Sequence, residues 1–165
     1  MAESSDDRIS VLFVCLGNIC RSPMAEAIFI DTIRKRNLEQ KFVVDSGAII
    51  DFHVGKTGPE KRADATLKKH GIKDFKHKVR QVSSGDLKKF DWVFGMDDEN
   101  MSDLNDLASR AGSGRKSKIA LLGDYDPQGV RIIIDPYYYD GHEMFEKVYE
   151  QCVRACEGFI DHLKL

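Results

Sequence analysis

Residues 9–23 of the chain read ISVLFVCLGNICRSP. The first part, from Ile9 to Val14, is nearly continuous in apolar and β-branched residues. That is the pattern of a strand buried on both faces of a parallel sheet. At Ser22-Pro23 a helix is expected to open, since serine caps well and proline suits the first helical turn. Met24, Ala27 and Ile28 then share one side at helical spacing, and Phe29 and Ile33 widen the stripe. Arg34-Lys35-Arg36 places positive charge at the end of that helix, where the dipole favours it. The unit is therefore strand, loop, helix.

The same alternation continues outward. Phe42-Val43-Val44, Trp92-Val93-Phe94 and Ile119-Ala120-Leu121-Leu122 read as strands. Glu60 to His70 reads as a helix stopped by Gly71, and a further helix runs through Met101, Leu104 and Leu107. The last helix is the clearest. Phe145, Val148, Tyr149, Cys152, Val153, Cys156, Phe159, Ile160 and Leu163 recur at helical spacing without a break. Ser109 to Ser117 reads as an exposed loop. Strands alternating with helices predict an α/β fold in three layers, a central four-stranded parallel sheet with helices on both faces. With 165 residues the chain suits one domain over 1–165. The polar, acidic residues 1–7 are expected to be disordered.

In open α/β folds, ligands sit beyond the carboxyl ends of the strands. The loop there is Cys15-Leu16-Gly17-Asn18-Ile19-Cys20-Arg21-Ser22. A helix N-terminus offers unpaired N–H groups and partial positive charge. Gly17 and Asn18 are the residue types that most easily take positive φ, so the loop can curl its amides around an anion. A thiol is nucleophilic only as thiolate, and a helix N-terminus and a guanidinium both favour that form. Arg21 offers paired donors for two phosphate oxygens. Cys15 and Arg21 thus form a chemical unit of attacking sulfur, backbone cradle and charge clamp, and Ser22 can donate to the sulfur as it leaves. Leu16, Ile19 and Cys20 complete the phosphate-binding loop.

Expelling an alkoxide or phenoxide needs a proton, and a carboxylic acid facing the loop would supply it. Asp135 is the strongest candidate, following Ile132-Ile133-Ile134 and preceding Pro136. Taken alone, Asp-Pro is more often a plain turn.

Other classes are disfavoured. The net charge of −2 gives no broad electrostatic grip on nucleic acid. The start of the chain is acidic and polar, unlike a secretory signal, and Val11 to Leu16 is far too short to span a bilayer, so a cytoplasmic protein without a membrane span is expected. The cysteines are Cys15, Cys20, Cys152 and Cys156. A reducing cytosol argues against structural bridges, and there is no Cys-x2-Cys or His-Glu-x-x-His pattern, so no metal and no cofactor are expected. Gly55-Lys56-Thr57 looks like the end of an ATP-binding loop, but Ile50 stands where its first glycine belongs.

Residues 14–23 resemble the signature of the low-molecular-weight protein tyrosine phosphatases. The resemblance extends over Val44-Asp45-Ser46, His70-Gly71-Ile72, Val79-Arg80-Gln81, Phe90-Asp91, Gly95-Met96-Asp97, Leu121-Leu122-Gly123 and Asp135-Pro136-Tyr137-Tyr138. It implies hydrolysis of phosphotyrosine in proteins and of small aryl phosphates through a phosphocysteine at Cys15. Asp135 would act as acid and then as base. Phosphotyrosine-containing proteins would be the partners, and phosphate or other oxyanions would inhibit. It further implies that Phe52, Tyr137 and Tyr138 wall the pocket and that Asn18 and Ser46 hold the loop in shape. His77 would meet Glu26 beneath the loop, Asp97 would lie near the cleft, and Cys20 would form a reversible disulfide with Cys15. His53 falls in a variable part of the rim, and Tyr139 stands where the family pattern has a small residue. Arsenate reductases share the fold, but the thioredoxin-coupled kind needs two more cysteines and none lies between positions 21 and 151. Protein-arginine phosphatases of this family tend to carry Thr at the position of Ile19. A cysteine phosphocarrier would need no acid such as Asp135.

Overall fold

The computed structural model describes residues 7–165; the expected disorder of 1–7 falls, but for Asp7, outside the described residues. The elements in order are β1 (Ile9–Cys15), α1 (Arg21–Lys35), β2 (Phe42–Ala48), β3 (Thr57–Gly58), α2 (Lys61–Lys69), β4 (His77–Lys78), α3 (Asp86–Lys89), β5 (Trp92–Gly95), α4 (Asp98–Ala111), β6 (Lys118–Leu121) and α5 (Glu143–Leu163). Four strands form one sheet in the order β2-β1-β5-β6, and every pairing in it is parallel. β3 and β4 make a separate antiparallel pair.

The continuous apolar run of β1 now has its explanation. Successive side chains of a strand point to opposite faces. Val11, Phe13 and Cys15 join the core that contains Met24, Ile28 and Phe29 of α1, Leu67 of α2 and Phe145, Cys152 and Phe159 of α5. Leu12 and Val14 join a second core with Leu87, Val93, Leu104 and Ala108, which faces α3 and α4. Both faces are covered, as the three-layer expectation required. Cys152 and Cys156 are fully buried on α5 within the first core.

Two boundaries and three short elements differ from expectation. α1 begins at Arg21, with Cys20 at the N-cap position and no side-chain cap. Ser22 does not cap because its hydroxyl is engaged by Asn18 and Cys15 instead. Pro23 is tolerated because the first-turn amides have no intrahelical partner. The segment 109–117 is not all exposed loop. α4 runs on to Ala111, and Ser117 is buried, its hydroxyl 2.5 Å from the Phe90 carbonyl and 3.0 Å from that of Leu87. The short β3, β4 and α3 were not anticipated, since two to four residues carry too little periodicity to register.

α5 lies so close to the turn at Leu122–Tyr125 that a Cβ on Gly158 would fall on the Tyr125 carbonyl oxygen. Alanine gains up to about 1 kcal/mol over glycine in a helix interior. Forced overpacking costs roughly 1–3 kcal/mol or more. Gly158→Ala should therefore lower the melting temperature, by roughly 2–8 °C for a chain of this size. A melting temperature at or above that of the parent would show that the helix does not pack against this turn at backbone distance.

Candidate active site

Cys15 is the last residue of β1, and the chain then curls before entering α1. Cys15 is only 3% exposed, yet it lies on the wall of a cavity of about 320 Å³. Leu16, Gly17, Ile19, Cys20, Ile50, Phe52, His53, Asp135, Tyr137 and Tyr138 share that cavity with it. The buried thiol therefore faces an anion-sized hollow. The Asn18 amide donates to Cys15 Sγ at 3.2 Å, and Ser22 Oγ lies 3.0 Å from the sulfur. Asn18 Nδ2 donates into Ser22 Oγ at 2.8 Å, which leaves the serine proton free to point at sulfur.

Of Gly17 and Asn18, Asn18 takes positive φ, at 57°. Gly17 does not, contrary to expectation. Its lack of a side chain serves a different need, because a Cβ there would come within 3.1 Å of the His53 ring.

Beneath the loop, Asn18 Nδ2 also donates to Ser46 Oγ at 3.0 Å, and Ser46 Oγ donates to Glu26 Oε1 at 2.5 Å. Asn18 Oδ1 sits 2.7 Å from His77 Nε2 and accepts from the Arg80 amide at 3.4 Å. An amide oxygen only accepts, so His77 Nε2 carries a proton. Burial lowers the His77 pKa; the Asp45 carboxylate opposes this and the Arg80 cation adds to it. The neutral ring then turns a lone pair at Nδ1 toward Glu26 Oε1, 3.4 Å away. Burial raises Glu26 to about 7, with the Ser46 hydrogen bond opposing. Glu26, Asp45 and His77 bring potential metal-ligand atoms within 4.8 Å of one another. Both Asp45 oxygens, however, already accept hydrogen bonds, from the Ser46 amide and from Arg80 Nε. That makes the cluster a hydrogen-bonded network rather than an open ligand set.

Arg21 opens α1 and is 2% exposed in its side chain. Nη1 donates to Asp97 Oδ2 at 2.6 Å and to the Ile133 carbonyl at 3.0 Å. Nη2 reaches Asp135 Oδ2 at 3.4 Å. Nε is buried with no hydrogen-bond partner among the described residues. Burial opposes the charge on Arg21, but Cys15, Asp135 and Asp97 outweigh it and hold its pKa above the ordinary value. The guanidinium is thus held charged beside Cys15 with one donor, Nε, unused among the described residues. Asp135 follows the buried Ile133, lines the same cavity as Cys15 and accepts from the Tyr137 amide at 3.1 Å. Cys20 also lines the cavity as a free thiol, its pKa driven well up by burial and then by Cys15 and Glu60.

Each predicted site residue lies in this cavity or in the network supporting it. Ile50 was missed, since an aliphatic residue in an irregular loop carries no signal of its own. The roles of Asp45 and Arg80 as partners of the His77 network were missed as well. Both look like ordinary surface charges in sequence.

The Glu26 carboxyl keeps its proton in the fold over a range where the unfolded chain loses it. Its contribution is complete below its ordinary 4.5 and is lost as pH rises through about 7. At about 1.4 kcal/mol per pH unit this amounts to about 3 kcal/mol. His77 responds in the opposite sense but is common to both proteins in the comparison. The stability of the parent relative to Glu26→Gln should therefore fall by about 3 kcal/mol between acid and mildly alkaline pH in denaturant titrations. A difference that stayed constant with pH would mean that Glu26 is ionised throughout.

Comparison with known proteins agrees with this geometry. The family model "low molecular weight phosphotyrosine protein phosphatase" matches residues 10–165. The pig protein of that name is 46% identical over 94% of this chain and 96% of its own, and the human protein is 45% identical over 92% and 94%. The crystal structure of Primo-1 superposes with a TM-score of 0.87 at 46% identity, covering 95% of this chain and 99% of that one. A Drosophila arginine phosphatase superposes with a TM-score of 0.88 at 41% identity, covering 94% and 98%. With a strand-end cysteine, a curled amide loop and a buried arginine in place, the chain belongs to the low molecular weight phosphotyrosine protein phosphatases, a family of hydrolases.

Proposed function

We propose that the protein hydrolyses phosphotyrosine in proteins, and small aryl phosphates, through a phosphocysteine on Cys15. One observation carries the reading: Cys15 and Asp135 share a single cavity, beside a buried guanidinium whose Nε has no partner among the described residues. Oxygens of a bound phosphate would accept from Arg21 Nε and Nη2 and from amides of the curled loop. The thiolate attacks phosphorus, the P–O bond to the leaving group breaks, and Asp135 gives its proton to the departing oxygen. Asp135, now a carboxylate, takes a proton from water, whose oxygen attacks phosphorus and breaks the P–S bond. Ser22 donates to the thiolate that leaves. No step needs a metal.

Among the described residues no helix is long and apolar enough to cross a membrane. Together with the family membership this supports a protein acting on phosphoproteins in the cytoplasm. Free Cys15 and Cys20 on one cavity also support a reversible disulfide under peroxide, with water as the reduced product. The likeness to an arginine phosphatase raises phosphoarginine as a second substrate. Ile19 lines the cavity with an aliphatic side chain and offers no hydrogen bond to a guanidino group, whereas the aromatic rings at the mouth suit an aryl ester.

Turnover of p-nitrophenyl phosphate should persist in excess chelator and vanish in Cys15→Ser. Activity retained by that variant would remove Cys15 from the nucleophile's role. Asp135→Ala should lower kcat/KM by about 100-fold or more for phenyl phosphate and far less for p-nitrophenyl phosphate, whose leaving group needs little protonation. An equal loss on both substrates would count against Asp135 as the acid. Assayed side by side, phosphotyrosine should exceed phosphoarginine in kcat/KM; the reverse order would favour the second substrate.

A further inference from the structure

Upstream of Asp135 the chain is well anchored. The Ile133 amide donates to the Met96 carbonyl at 3.0 Å, and Arg21 holds the Ile133 carbonyl from the other side. Downstream the situation changes. Pro136 is buried, but every residue from Tyr137 to Glu143 is exposed. Among the described residues, the hydrogen bonds that tie Pro136–Gly141 to a different element come from one side chain, that of Arg62 in the first turn of α2. Arg62 Nη1 donates to the Tyr139 carbonyl at 2.5 Å, and Nη2 donates to the Tyr137 carbonyl at 3.0 Å.

The guanidinium making these bonds is itself held. Its Nε donates to Glu60 Oε1 at 3.2 Å, and its plane lies over the Phe145 ring, 4.6 Å from the centroid. A planar fork stacked on an aromatic face has little freedom left to lose when it engages two carbonyls. Glu60 completes the bracket. Its amide donates to the Ile19 carbonyl of the phosphate loop at 2.7 Å, while its carboxylate caps α2. One helical turn therefore bonds to the nucleophile loop on one side and to the acid loop on the other. The Tyr137 amide in turn donates to Asp135 Oδ1, so the peptide units around Tyr137 orient the carboxyl itself.

We propose that Arg62 is a positioning residue for catalysis: by clamping the Tyr137 and Tyr139 carbonyls it sets the Asp135 carboxyl over the Cys15 cavity. This rests on the reading of Asp135 as proton donor. Arg62 touches neither substrate nor sulfur, and its effect runs through the placement of the acid.

The test compares kcat/KM for phenyl phosphate and p-nitrophenyl phosphate, because that ratio reports protonation of the leaving group. Arg62→Ala should lower kcat/KM by about 10-fold for phenyl phosphate and by less than about 2-fold for p-nitrophenyl phosphate. Arg62→Lys, which keeps one donor, should fall between Arg62→Ala and the parent, and it serves the same comparison if Arg62→Ala does not fold. In an Asp135→Ala background the further change from Arg62→Ala should shrink to within about 2-fold on both substrates. A loss that is uniform across leaving groups, or equally large without Asp135, would make Arg62 merely structural and overturn the inference while leaving the acid assignment standing. If Asp135→Ala itself discriminated no leaving groups, the acid assignment and this inference would fall together.

Discussion

The hydrogen bonds of one buried asparagine organise the active end of the sheet. Asn18 sits at φ 57° and gives its amide to the Cys15 sulfur. Its Nδ2 holds Ser22 and Ser46, and its Oδ1 takes His77 and the Arg80 amide. Left-handed backbone at a residue other than glycine costs of order 1 kcal/mol and persists only where surroundings over-determine it. Glycine would relieve that cost but could make none of the side-chain bonds. Asparagine satisfies both demands, since its short amide tolerates the conformation and carries donors and an acceptor at once. The first turn of α1, the strand β2 and the strand β4 are thereby referred to a single point below the sulfur.

A second constraint is the cost of burying a guanidinium. Removing Arg21 from water is expensive unless its charge and its donors are met. Asp97 meets Nη1 with one oxygen while its other oxygen caps α4 through the Asn100 amide at 2.8 Å. Asp135 meets Nη2 over a longer distance, and Nε is left unmet. Two carboxylates beside one arginine meet its charge in the buried site and leave Nε as its donor without a partner among the described residues. The same arginine bridges the turn after β5 to the segment before Asp135. Arg21, Asp97 and Asp135 are thus parts of a single network.

Legibility in the sequence followed the length over which a physical pattern repeats. The seven residues of β1 and the twenty-one of α5 were readable because burial on both faces, and on one helical face, prints a long periodic signal. Cys15, Arg21 and Ser22 were readable as a unit because strand, curled loop and helix start impose a fixed spacing between them. The start of α1 was misplaced by that same logic. Ser22 has the chemistry of a cap, but its hydroxyl is claimed by the sulfur and by Asn18, and local propensity yields to that tertiary bond. Gly17 was credited with positive φ on type alone, whereas its smallness answers to His53, a residue thirty-six positions away. Arg62 gave no sign at all. An arginine in a charged helix beginning KRADATLKK is ordinary, and only the fold reveals the two carbonyls in front of it.

The cavity is built in two regimes, and the difference bears on selectivity. Its floor consists of buried residues joined by many mutual hydrogen bonds, so its geometry is over-determined. Its mouth consists of Phe52, Tyr137 and Tyr138, exposed by 73%, 43% and 74%. Tyr137 and Tyr138 meet edge to face at 5.3 Å between centroids, and Phe52 meets His53 in the same way at 4.7 Å. Rings left this open contribute little to the core and retain most of their apolar surface for another molecule. These rings and His53 line the same cavity as Cys15. An aromatic group among them would cover apolar surface that an alkyl group would leave in water. The cavity thus joins a rigid, hydrogen-bonded base to an open aromatic rim whose apolar surface would gain burial against an aromatic group.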